Sequence, residues 1–396
     1  MGAKAIVNAR VIDGTGGDTK EGATIVVEDG RIAAIGEGDV VSIPEGAERI
    51  DAKGQTVVPG LIDGHIHITS MPGLLDAHGH LEQSLKAVGK LRRCLQRGVT
   101  TVANMGGCPE NVILSRAIES GDVSGCARMI VAAMVNATGG HVRGRSADGP
   151  WEVRKAVREM ILSGAHLIKT AATGGFMWEH EKVEWEDYTL EELTALVEES
   201  HSKEKRVAVH AHSQPGLDAS IAAGCDVIAH GALIDDEALE GIAAKNLFYM
   251  PTLYITSDHV LNRPNLAKHM HERMSHAHPI HREGVRKARE MGVKLCLGTD
   301  GGPGDAMLEL VELVGCGLTP MEAIVTGTRN TAESLDILDQ VGTLEAGKQA
   351  DLLIVEGDPL EDISVLADQE NVLLVMKAGK VEGTAEGWKE YLHPRE

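Results

Sequence analysis

Long apolar runs are missing from this sequence: its 396 residues contain no stretch of about 18 consecutive apolar residues. A transmembrane helix is therefore not expected. The first residues, MGAKAIVNARVIDGTGG, have no long apolar region and no clear cleavage site, so they do not resemble a signal peptide. The six cysteines are widely scattered and form no CxxC pair, which favours reduced thiols and a cytoplasmic location.

Basic residues are scarce relative to acidic ones. Lys and Arg number 38 and Asp and Glu 59, which gives a formal net charge of -21 at pH 7. Nucleic acids and anionic membranes are polyanions and would be repelled, so we expect neither as a partner. We expect a small-molecule substrate instead, and a homo-oligomer. Aromatic residues are only 3% of the chain, but hydrophobic residues reach 43%, enough for a large core.

Both ends of the chain have the pattern of short β-strands. AIVNARVID and TIVVEDGRIAAIG near the start, and ADLLIVEGDPL and NVLLVMKAGKV near the end, are apolar runs bounded by turn signals. Neither end is long enough to bury a good core alone. The two ends are therefore predicted to pair into one small β-sandwich domain of residues 1–57 plus 340–396.

The region between them, residues 58–339, alternates apolar strands with helical patterns such as LEELTALVEESHSKE. Its eight candidate strands are VVPGLID, GVTTVAN, RMIVAAM, GAHLIKT, RVAVHAH, CDVIAH, NLFYMPT and VKLCLGTD. This alternation predicts an α/β fold with a closed parallel (β/α)8 TIM barrel. Active sites in that fold lie at the carboxyl ends of the strands, so polar residues there are candidates for chemistry.

Titratable side chains stand at the ends of five of these strands. They are His65 and His67 on strand 1, Lys169 on strand 4, His210 and His212 on strand 5, His230 on strand 6, and Asp300 on strand 8. Side chains two apart on a strand share a face, so His65 and His67 both point into the barrel. Charges gathered at one end of a barrel need partners when buried. A divalent cation supplies one, with zinc favoured over manganese, cobalt or iron.

Lys169 is the exceptional member of this group. An ammonium buried beside metal cations is strongly unfavourable, because burial and nearby positive charge both lower the pKa of the amine. A neutral amine can add carbon dioxide to form a carbamate, whose two oxygens can bridge two metals. The lysine therefore indicates a two-metal site.

The pattern of HxH on strand 1, Lys on strand 4, His on strands 5 and 6 and Asp on strand 8 resembles the amidohydrolase superfamily, binuclear type with a carboxylated lysine. VVPGLIDGHIH and VGTLEAGKQADLLIVEGDPL add to a resemblance that covers nearly the whole chain. PTLYIT, VAVHAHS, IAHGALIDDE, TGGHV and TPMEAIVTGTRNTAE resemble in particular the branch of prolidase-like and imidazolonepropionase-related peptidases. Some members of that branch act on dipeptides with C-terminal proline, lysine or arginine.

The resemblance implies two divalent metal ions, Zn²⁺ first among them, and a carbamate formed on a lysine by CO₂. It assigns the ligands as His65, His67 and Asp300 for the more buried metal, His210 and His230 for the second, and carboxylated Lys169 as a bridge together with a hydroxide. The hydroxide attacks the amide carbonyl while Asp300 acts as general base and then general acid. His212 points the same way as His210. The family pattern implies that it either supports the metal ligands without binding the metal or faces the substrate.

Further residues are candidates for substrate contacts. His141, in ATGGHVRGR, is expected to polarise the substrate carbonyl, as the branch resemblance suggests. Tyr254 is expected to hydrogen-bond that carbonyl, with a packed tyrosine as the alternative. Arg143 and Arg145 suit a substrate carboxylate, because guanidinium binds carboxylate bidentately, although a solvated loop arginine is at least as good an interpretation of each.

The loop after strand 4, GGFMWEHEKVEWEDYT, contains four of the ten aromatic residues of the chain: Phe176, Trp178, Trp185 and Tyr188. They are interpreted either as a wall or lid over the substrate, with Trp178 as a substrate-binding residue, or as staples that hold a long loop to the barrel rim. His78 and His80, in DAHGHLEQ, are interpreted as structural or substrate-proximal rather than as ligands.

We expect a metal-dependent hydrolase that cleaves a peptide-like amide bond in a dipeptide or an N-acyl amino acid. The alternative is a hydrolase of a cyclic amide, lactam or carbamate-like small molecule, and a non-catalytic scaffold is a remote one because no ligand is lost. A mononuclear deaminase is disfavoured because such relatives generally lack the strand-4 lysine. One departure concerns substrate: GTDGGPGDAMLELV after strand 8 lacks the His-Gly pair common in related peptidases. The resemblance therefore does not assign the substrate of any one relative to this chain.

Overall fold

The computed structural model describes residues 2–69, 77–107 and 109–386. In chain order its strands are β1 (Lys4–Val11), β2 (Lys20–Glu28), β3 (Arg31–Glu37), β4 (Glu48–Asp51), β5 (Thr56–Pro59), β6 (Leu61–Ile66), β7 (Val99–Gly107), β8 (Arg128–Asn136), β9 (Arg145–Ser146), β10 (Leu167–Ala171), β11 (Val207–Ala211), β12 (Val227–His230), β13 (Phe248–Met250), β14 (Lys294–Leu295), β15 (Leu352–Val355), β16 (Val372–Lys377) and β17 (Lys380–Thr384).

The α-helices in these ranges are α1 (Ala77–Gln96), α2 (Pro109–Glu119), α3 (Pro150–Leu162), α4 (Leu190–His201), α5 (Gly216–Ala223), α6 (Asp236–Ala244), α7 (Asp258–Leu261), α8 (Lys268–Glu290), α9 (Ala306–Gly315), α10 (Pro320–Val325) and α11 (Thr331–Ser334). Short 3-10 helices cover Gly38–Val40, Leu253–Thr256, Ile363–Leu366 and Gln369–Asn371, and a π-helix covers Thr326–Asn330. None of the described helices is long and apolar enough to cross a bilayer. Cys108 and the side chains of His78 and His80 lie outside the described residues.

One sheet is built from both ends of the chain, as the sequence predicts. Its strand order is β17-β16-β15-β5-β1-β2-β3, with β4 paired along β1, so hydrogen bonding is continuous across it. Strand β15 pairs antiparallel with β5, and Ile354 lies opposite Val57. Ile6, Ile25, Val57, Ile354 and Leu374 are fully buried in one apolar cluster that both ends supply. Neither end could bury these side chains without the other.

The second sheet is the predicted parallel barrel. Its strand order is β6-β7-β8-β10-β11-β12-β13-β14, with β9 attached to β8. Every residue of β10 and β11 is buried, because helices cover the outer face and side chains fill the interior. The predicted fold class is confirmed.

The first predicted barrel strand, VVPGLID, is divided between the two sheets. Residues 56–59 form β5 of the terminal sheet, and the barrel strand β6 begins at Leu61. Gly60 is the turning point, and its N–H donates to Asp351 O at 2.9 Å. The terminal sheet and the barrel therefore meet two residues later than the expected boundary at residue 57, and the division into two domains stays a prediction.

The last barrel strand is shorter than VKLCLGTD suggests, since β14 contains two residues. The chain beyond it nevertheless continues alongside β6. Gly64 N–H donates to Leu297 O at 2.9 Å, and Asp300 N–H donates to His65 O at 2.7 Å. These bonds join the last strand to the first and bring Asp300 beside His65.

Candidate metal centre

The barrel brings all the predicted ligands to one end. His65 lies in β6 with His67 directly after it, Lys169 lies in β10, His210 in β11, and His230 ends β12. Ring centroids are 4.8 Å apart between His65 and His230 and 4.5 Å apart between His230 and His210. Side-chain ligand atoms of His65, His230 and Asp300 lie within 4.8 Å of one another, a spacing suited to one cation.

Asp300 is held against two imidazoles. Its Oδ1 lies 2.9 Å from His67 Nε2 and 3.6 Å from His65 Nε2. Burial would raise the pKa of this carboxyl, but the two imidazoles and the Lys169 amine outweigh burial and hold the pKa well below its usual range. The carboxylate is therefore ionised at neutral pH, so it can bind a cation or accept a proton.

Lys169 is buried at the centre of the site. Only 2% of it is exposed, and among the described residues its Nζ has no hydrogen-bond partner. Burial lowers the pKa of the amine to about 7, although Asp300 opposes this shift. A substantial fraction of the amine is then neutral at physiological pH, which is the form that can take up carbon dioxide.

Three buried histidines of the site are neutral. Burial lowers the pKa values of His65, His210 and His230 well below the ordinary value of histidine, and neighbouring cationic groups add to the effect. The Nδ1 of His230 lies 2.8 Å from Thr252 Oγ1, which leaves Nε2 to face the centre. Neutral imidazoles carry the lone pair that a metal needs.

His210 and His212 both reach the site. Their ring centroids lie 4.5 Å and 4.9 Å from that of His230. His210 Nε2 is 3.3 Å from Gly174 O, whereas His212 packs on Phe176 with centroids 4.4 Å apart. Because both rings are similarly close, the choice of His210 as the ligand stays a prediction.

A separate observation also fits a metal site: several buried polar atoms here have no hydrogen-bond partner. Buried polar atoms nearly always have a hydrogen-bond partner, because leaving one unpaired costs about 1–3 kcal/mol. Within the described part of the chain, the buried atoms here without a partner are Nδ1 of His65, His67 and His212 and Nζ of Lys169. Imidazole nitrogen with carboxylate oxygen is a donor set typical of zinc.

The backbone is strained at three residues of the site. His230, Thr252 and Asp300 have φ values of 78°, 53° and 51°, which lie in the left-handed region that residues with a Cβ seldom adopt. Each such residue costs about 1–3 kcal/mol and persists only where the surrounding structure enforces it. Such strain is typical of functional sites.

A cavity of about 450 Å³ opens over these side chains. Its lining beyond the centre is mainly apolar and includes Met134, Phe176, Ile255, Val260, Leu266, Met270 and Met274. Lys90 and Arg263 add positive charge, and Asp300 is the acidic residue among the described lining residues. The cavity thus combines an apolar wall with a positive rim in a strongly acidic protein.

Two predicted substrate contacts, His141 and Tyr254, line this cavity. The His141 ring stacks on His210, with centroids 4.2 Å apart. The Tyr254 hydroxyl accepts a hydrogen bond from Arg263 at 2.7 Å and also lies beside Asp305.

Three other predicted contacts, Arg143, Arg145 and Trp178, are not among the residues that line the cavity. Arg145 lies 2.8 Å from a carboxylate oxygen of Glu159 and 3.6 Å from one of Glu152, since α3 presents its acidic side to this arginine. The Arg143 guanidinium lies 5.4 Å from the centre of a Trp178 ring. A role of Arg143 or Arg145 in binding a substrate carboxylate stays a prediction.

The aromatic side chains of the strand-4 loop divide between the two interpretations. Phe176 forms part of the cavity wall. Tyr188 is buried, and its hydroxyl donates to Ala147 O at 2.7 Å, which fixes the loop to its neighbour. Trp185 is exposed, and the Trp178 carbonyl accepts a hydrogen bond from Arg273 of α8.

Sequence reasoning missed two residues of the site, Arg263 and Glu181. Arg263 follows Tyr254 by nine positions in a turn, and nothing in the local sequence sets it apart from other surface arginines. Glu181 lies 2.7 Å from His141 Nδ1, but it is one of several acidic residues in EHEKVEWED. A usable signal was the repeated ATGG, which precedes both His141 and Phe176 and allows the two loops to approach closely.

A family model for the amidohydrolase family matches residues 56–381. The chain belongs to the amidohydrolase family. This confirms the assignment made from the strand-end histidines, lysine and aspartate, and the match includes the region that contains all of them.

Individual relatives extend the comparison. Ochratoxinase of Aspergillus niger is 35% identical over 239 residues, which cover 59% of this chain and 50% of that protein, so the match spans only half the length of this relative. Imidazolonepropionase of Rhizobium rhizogenes is 25% identical over 401 residues, which cover 88% and 90% of the two chains. A solved Xaa-Pro dipeptidase with methionine bound in its active site has a TM-score of 0.86 and 31% identity, over 96% of this chain and 99% of that one.

Proposed function

We propose that this amidohydrolase is a metal-dependent hydrolase of an amide bond in a dipeptide or N-acyl amino acid. The observation that carries the proposal is Lys169, a buried amine with a lowered pKa and no described partner. It lies under a substrate-sized cavity, beside three imidazoles whose pKa values are lowered by burial. Members of the family generally use metal ions, and the donor atoms here suit them.

The ligand roles follow the chemistry of the side chains. His65, His67 and Asp300 would hold one cation, His210 and His230 the second, and carboxylated Lys169 would contact both. When bound, two divalent cations, Zn²⁺ first among them, would lower the pKa of a shared water and polarise the substrate carbonyl.

Asp300 is the proposed proton carrier. Its carboxylate is ionised at neutral pH, which is the form that can accept a proton from the attacking water. It then returns that proton to the nitrogen of the leaving amine. The 2.9 Å contact with His67 Nε2 fixes the orientation of the carboxylate during this transfer.

His141 and Tyr254 are the proposed contacts of the scissile carbonyl. Both line the cavity, and the stacking of His141 on His210 brings it to the edge of the ligand cluster. A hydrogen bond that strengthens as the carbonyl oxygen gains negative charge stabilises the transition state more than the ground state.

Arg263 is the proposed carboxylate clamp, in place of Arg143 and Arg145. It lines the cavity, and it forms no ion pair with a carboxylate among the residues described. Its guanidinium sits 5.6 Å over the ring of Tyr254 while one nitrogen donates to the hydroxyl. A substrate carboxylate would complete the pairing of this cation.

The wall beside Arg263 is apolar, with Val260, Leu266, Met270 and Met274. An amino acid whose carboxylate meets Arg263 would direct its side chain onto this wall. We therefore infer that the leaving amino acid is apolar rather than basic or acidic. The methionine that occupies the active site of the related Xaa-Pro dipeptidase agrees with this inference.

The second candidate function is hydrolysis of a cyclic amide, lactam or carbamate-like molecule. It is favoured by the match to imidazolonepropionase, which extends over 88% of this chain. A cyclic amide without a carboxylate would leave Arg263 unpaired, which is why we rank it second. A non-catalytic scaffold is the remote alternative, since every predicted ligand is present.

A matched hydrolysis screen tests the proposal. The metal-loaded protein is incubated with dipeptides and N-acyl amino acids that carry apolar, basic or acidic C-terminal residues, with the C-terminal carboxamide of each, and with lactams. We expect the apolar acids to be cleaved fastest and their carboxamides roughly 10- to 100-fold more slowly, because the charged hydrogen bonds to Arg263 are lost. Faster cleavage of lactams, or no preference for the free acid, would contradict the proposal.

A further inference from the structure

Glu181 makes a short, well-oriented contact with His141. Its Oε2 lies 2.7 Å from His141 Nδ1, and the same oxygen accepts a hydrogen bond from Gly175 N–H at 3.0 Å. The side chains of the pair are only 13% and 9% exposed. Because an ionised carboxylate only accepts hydrogen bonds, the proton of this contact belongs to Nδ1 of the histidine.

The imidazole is also held from other sides. The His141 backbone N–H donates to Asp187 Oδ2 at 2.7 Å, and the ring stacks on His210. Gly175 lies against the ring so closely that a Cβ at this position would be 2.2 Å from His141 Cε1. Glu181, Asp187 and Gly175 all belong to the loop that follows β10, the strand of Lys169.

With Nδ1 bonded to Glu181, the nitrogen left to face the cavity is Nε2. A ring that can rotate would offer either nitrogen, or neither, to a substrate. A carboxylate bonded to the far nitrogen removes this freedom.

We propose that Glu181 is a positioning residue for His141: by accepting the hydrogen bond of Nδ1 it fixes the ring with Nε2 toward the substrate carbonyl, where a proton on Nε2 can be donated to the carbonyl oxygen. The proposal rests on the proposed function, because it assumes that His141 contacts the scissile group. It means that the strand-4 loop supplies more than a wall: it also sets the geometry of a side chain on the strand-3 loop.

A purely structural role is the competing explanation, in which Glu181 only fastens its own loop through Gly175 N–H. The two roles differ in what depends on His141. A double-mutant cycle separates them, since two residues that act through each other are not additive.

The cycle uses Glu181→Ala, His141→Ala and the double variant, with Glu181→Gln as the conservative variant and Glu184→Gln as a matched control on the exposed side of the same loop. We expect Glu181→Ala to lower kcat about 10- to 100-fold, the usual effect of removing such a partner, with a smaller change in KM. In the His141→Ala background the same change should matter by less than about twofold. Glu181→Gln, whose amide oxygen can still accept from Nδ1, should recover part of kcat, and Glu184→Gln should behave as wild type.

An equal loss of kcat in both backgrounds would overturn the proposal in favour of the structural role. Thermal unfolding and metal content of each variant are measured alongside, so that a misfolded loop is recognised by a lowered Tm rather than counted as a loss of positioning.

A second readout needs no turnover. Nitrogen-15 NMR of the metal-free protein reports whether Nδ1 of His141 is protonated, and the His141 signals are identified among the 18 histidines by their loss in His141→Ala. We expect a protonated Nδ1 in the wild type and a smaller Nδ1-protonated fraction in Glu181→Ala. An unprotonated Nδ1 in the wild type would overturn the proposal. If the wild type cleaves no amide at all, the proposed function fails, while this spectrum still decides the contact.

Discussion

Lys169 illustrates how burial changes the chemistry of one residue. On a surface its ammonium would be charged and inert, but inside the barrel the loss of solvation lowers the pKa to about 7. Asp300 opposes the shift without cancelling it. The neutral fraction is the form that can add carbon dioxide, so burial makes the proposed carbamate possible.

The first prediction concerns this lysine. Lys169→Ala should abolish activity, and short carboxylic acids should restore part of it by occupying the space of the carbamate. Lys169→Arg is the matched control: it keeps the length and charge but stays protonated, so it should be inactive and should not respond to added acids. Turnover and metal content are measured together. If Lys169→Ala keeps its full metal content and is not rescued by added acids, the bridging role is contradicted.

The second prediction concerns Arg263. Arg263→Met should lower kcat/KM for a substrate with a free carboxylate roughly 10- to 100-fold, because a charged hydrogen-bond donor is lost. It should change the rate for the matching carboxamide much less. Arg145→Met is the control, since Arg145 pairs with Glu159 and Glu152 outside the cavity. Equal effects of the two variants would remove Arg263 from substrate binding.

At the scale of elements, the 3-10 helix Leu253–Thr256 positions Tyr254. The buried carboxyl of Glu309, on α9, accepts the N–H groups of Leu253 at 2.8 Å and Tyr254 at 2.7 Å. These are the free donors at the start of the short helix, so Glu309 acts as a cap supplied by another element. Burial nevertheless raises the pKa of this carboxyl to about 8, against the effect of the two N–H groups.

This gives the third prediction, a pH dependence of stability. The folded pKa of Glu309 exceeds its ordinary value of 4.5, so the folded state binds the proton more tightly than the unfolded one. Its contribution is therefore complete below about pH 4.5 and is lost as pH rises toward 8. Relative to Glu309→Gln, wild type should lose up to about 1.4 kcal/mol of unfolding free energy per pH unit in this window.

Urea unfolding of both proteins between pH 5 and 9 measures this difference. Glu240→Gln, a change at an exposed position on α6, is the control and should show no such trend. A difference between wild type and Glu309→Gln that stays constant with pH would mean that Glu309 is ionised throughout.

At the scale of the whole molecule, the terminal sheet leads directly into the barrel strand that carries the first candidate ligand. Strand β5 belongs to the terminal sheet and leads through Gly60 directly into β6, which carries His65. The far end of the barrel closes on the same strand through the bond from Asp300 N–H to His65 O. The candidate ligands His65 and Asp300, from opposite ends of the barrel sequence, therefore both depend on β6.

The fourth prediction concerns metal binding to the whole protein. Metal analysis should find about two divalent ions per chain, as a bridging lysine requires. Removing them with a chelator should lower Tm, because cations that bind only the folded ligand set stabilise it by mass action. Readdition of Zn²⁺ should restore Tm and activity together. One ion or none would count against the two-metal site.

The homo-oligomer expected from the sequence stays a prediction, which sedimentation measurements would test.

The sequence by itself determined the barrel, the terminal sheet and the positions of the candidate ligands. Alternating apolar strands and helices follow from local periodicity, and a period of two aligns His65 with His67 whatever the rest of the chain does. Residues at strand ends meet because a parallel barrel collects those ends at one face. Such features need only the order of residues and the rule of the fold.

Only the tertiary structure decided which loop residues enter the cavity. From the sequence, Arg145 and Arg263 are equally suitable partners for a substrate carboxylate. In the structure Arg145 pairs with acidic side chains of α3, whereas Arg263 lines the cavity. The Glu181–His141 contact joins residues 40 apart on different loops. Loop paths depend on the packing of many side chains at once, and no local periodicity encodes that packing.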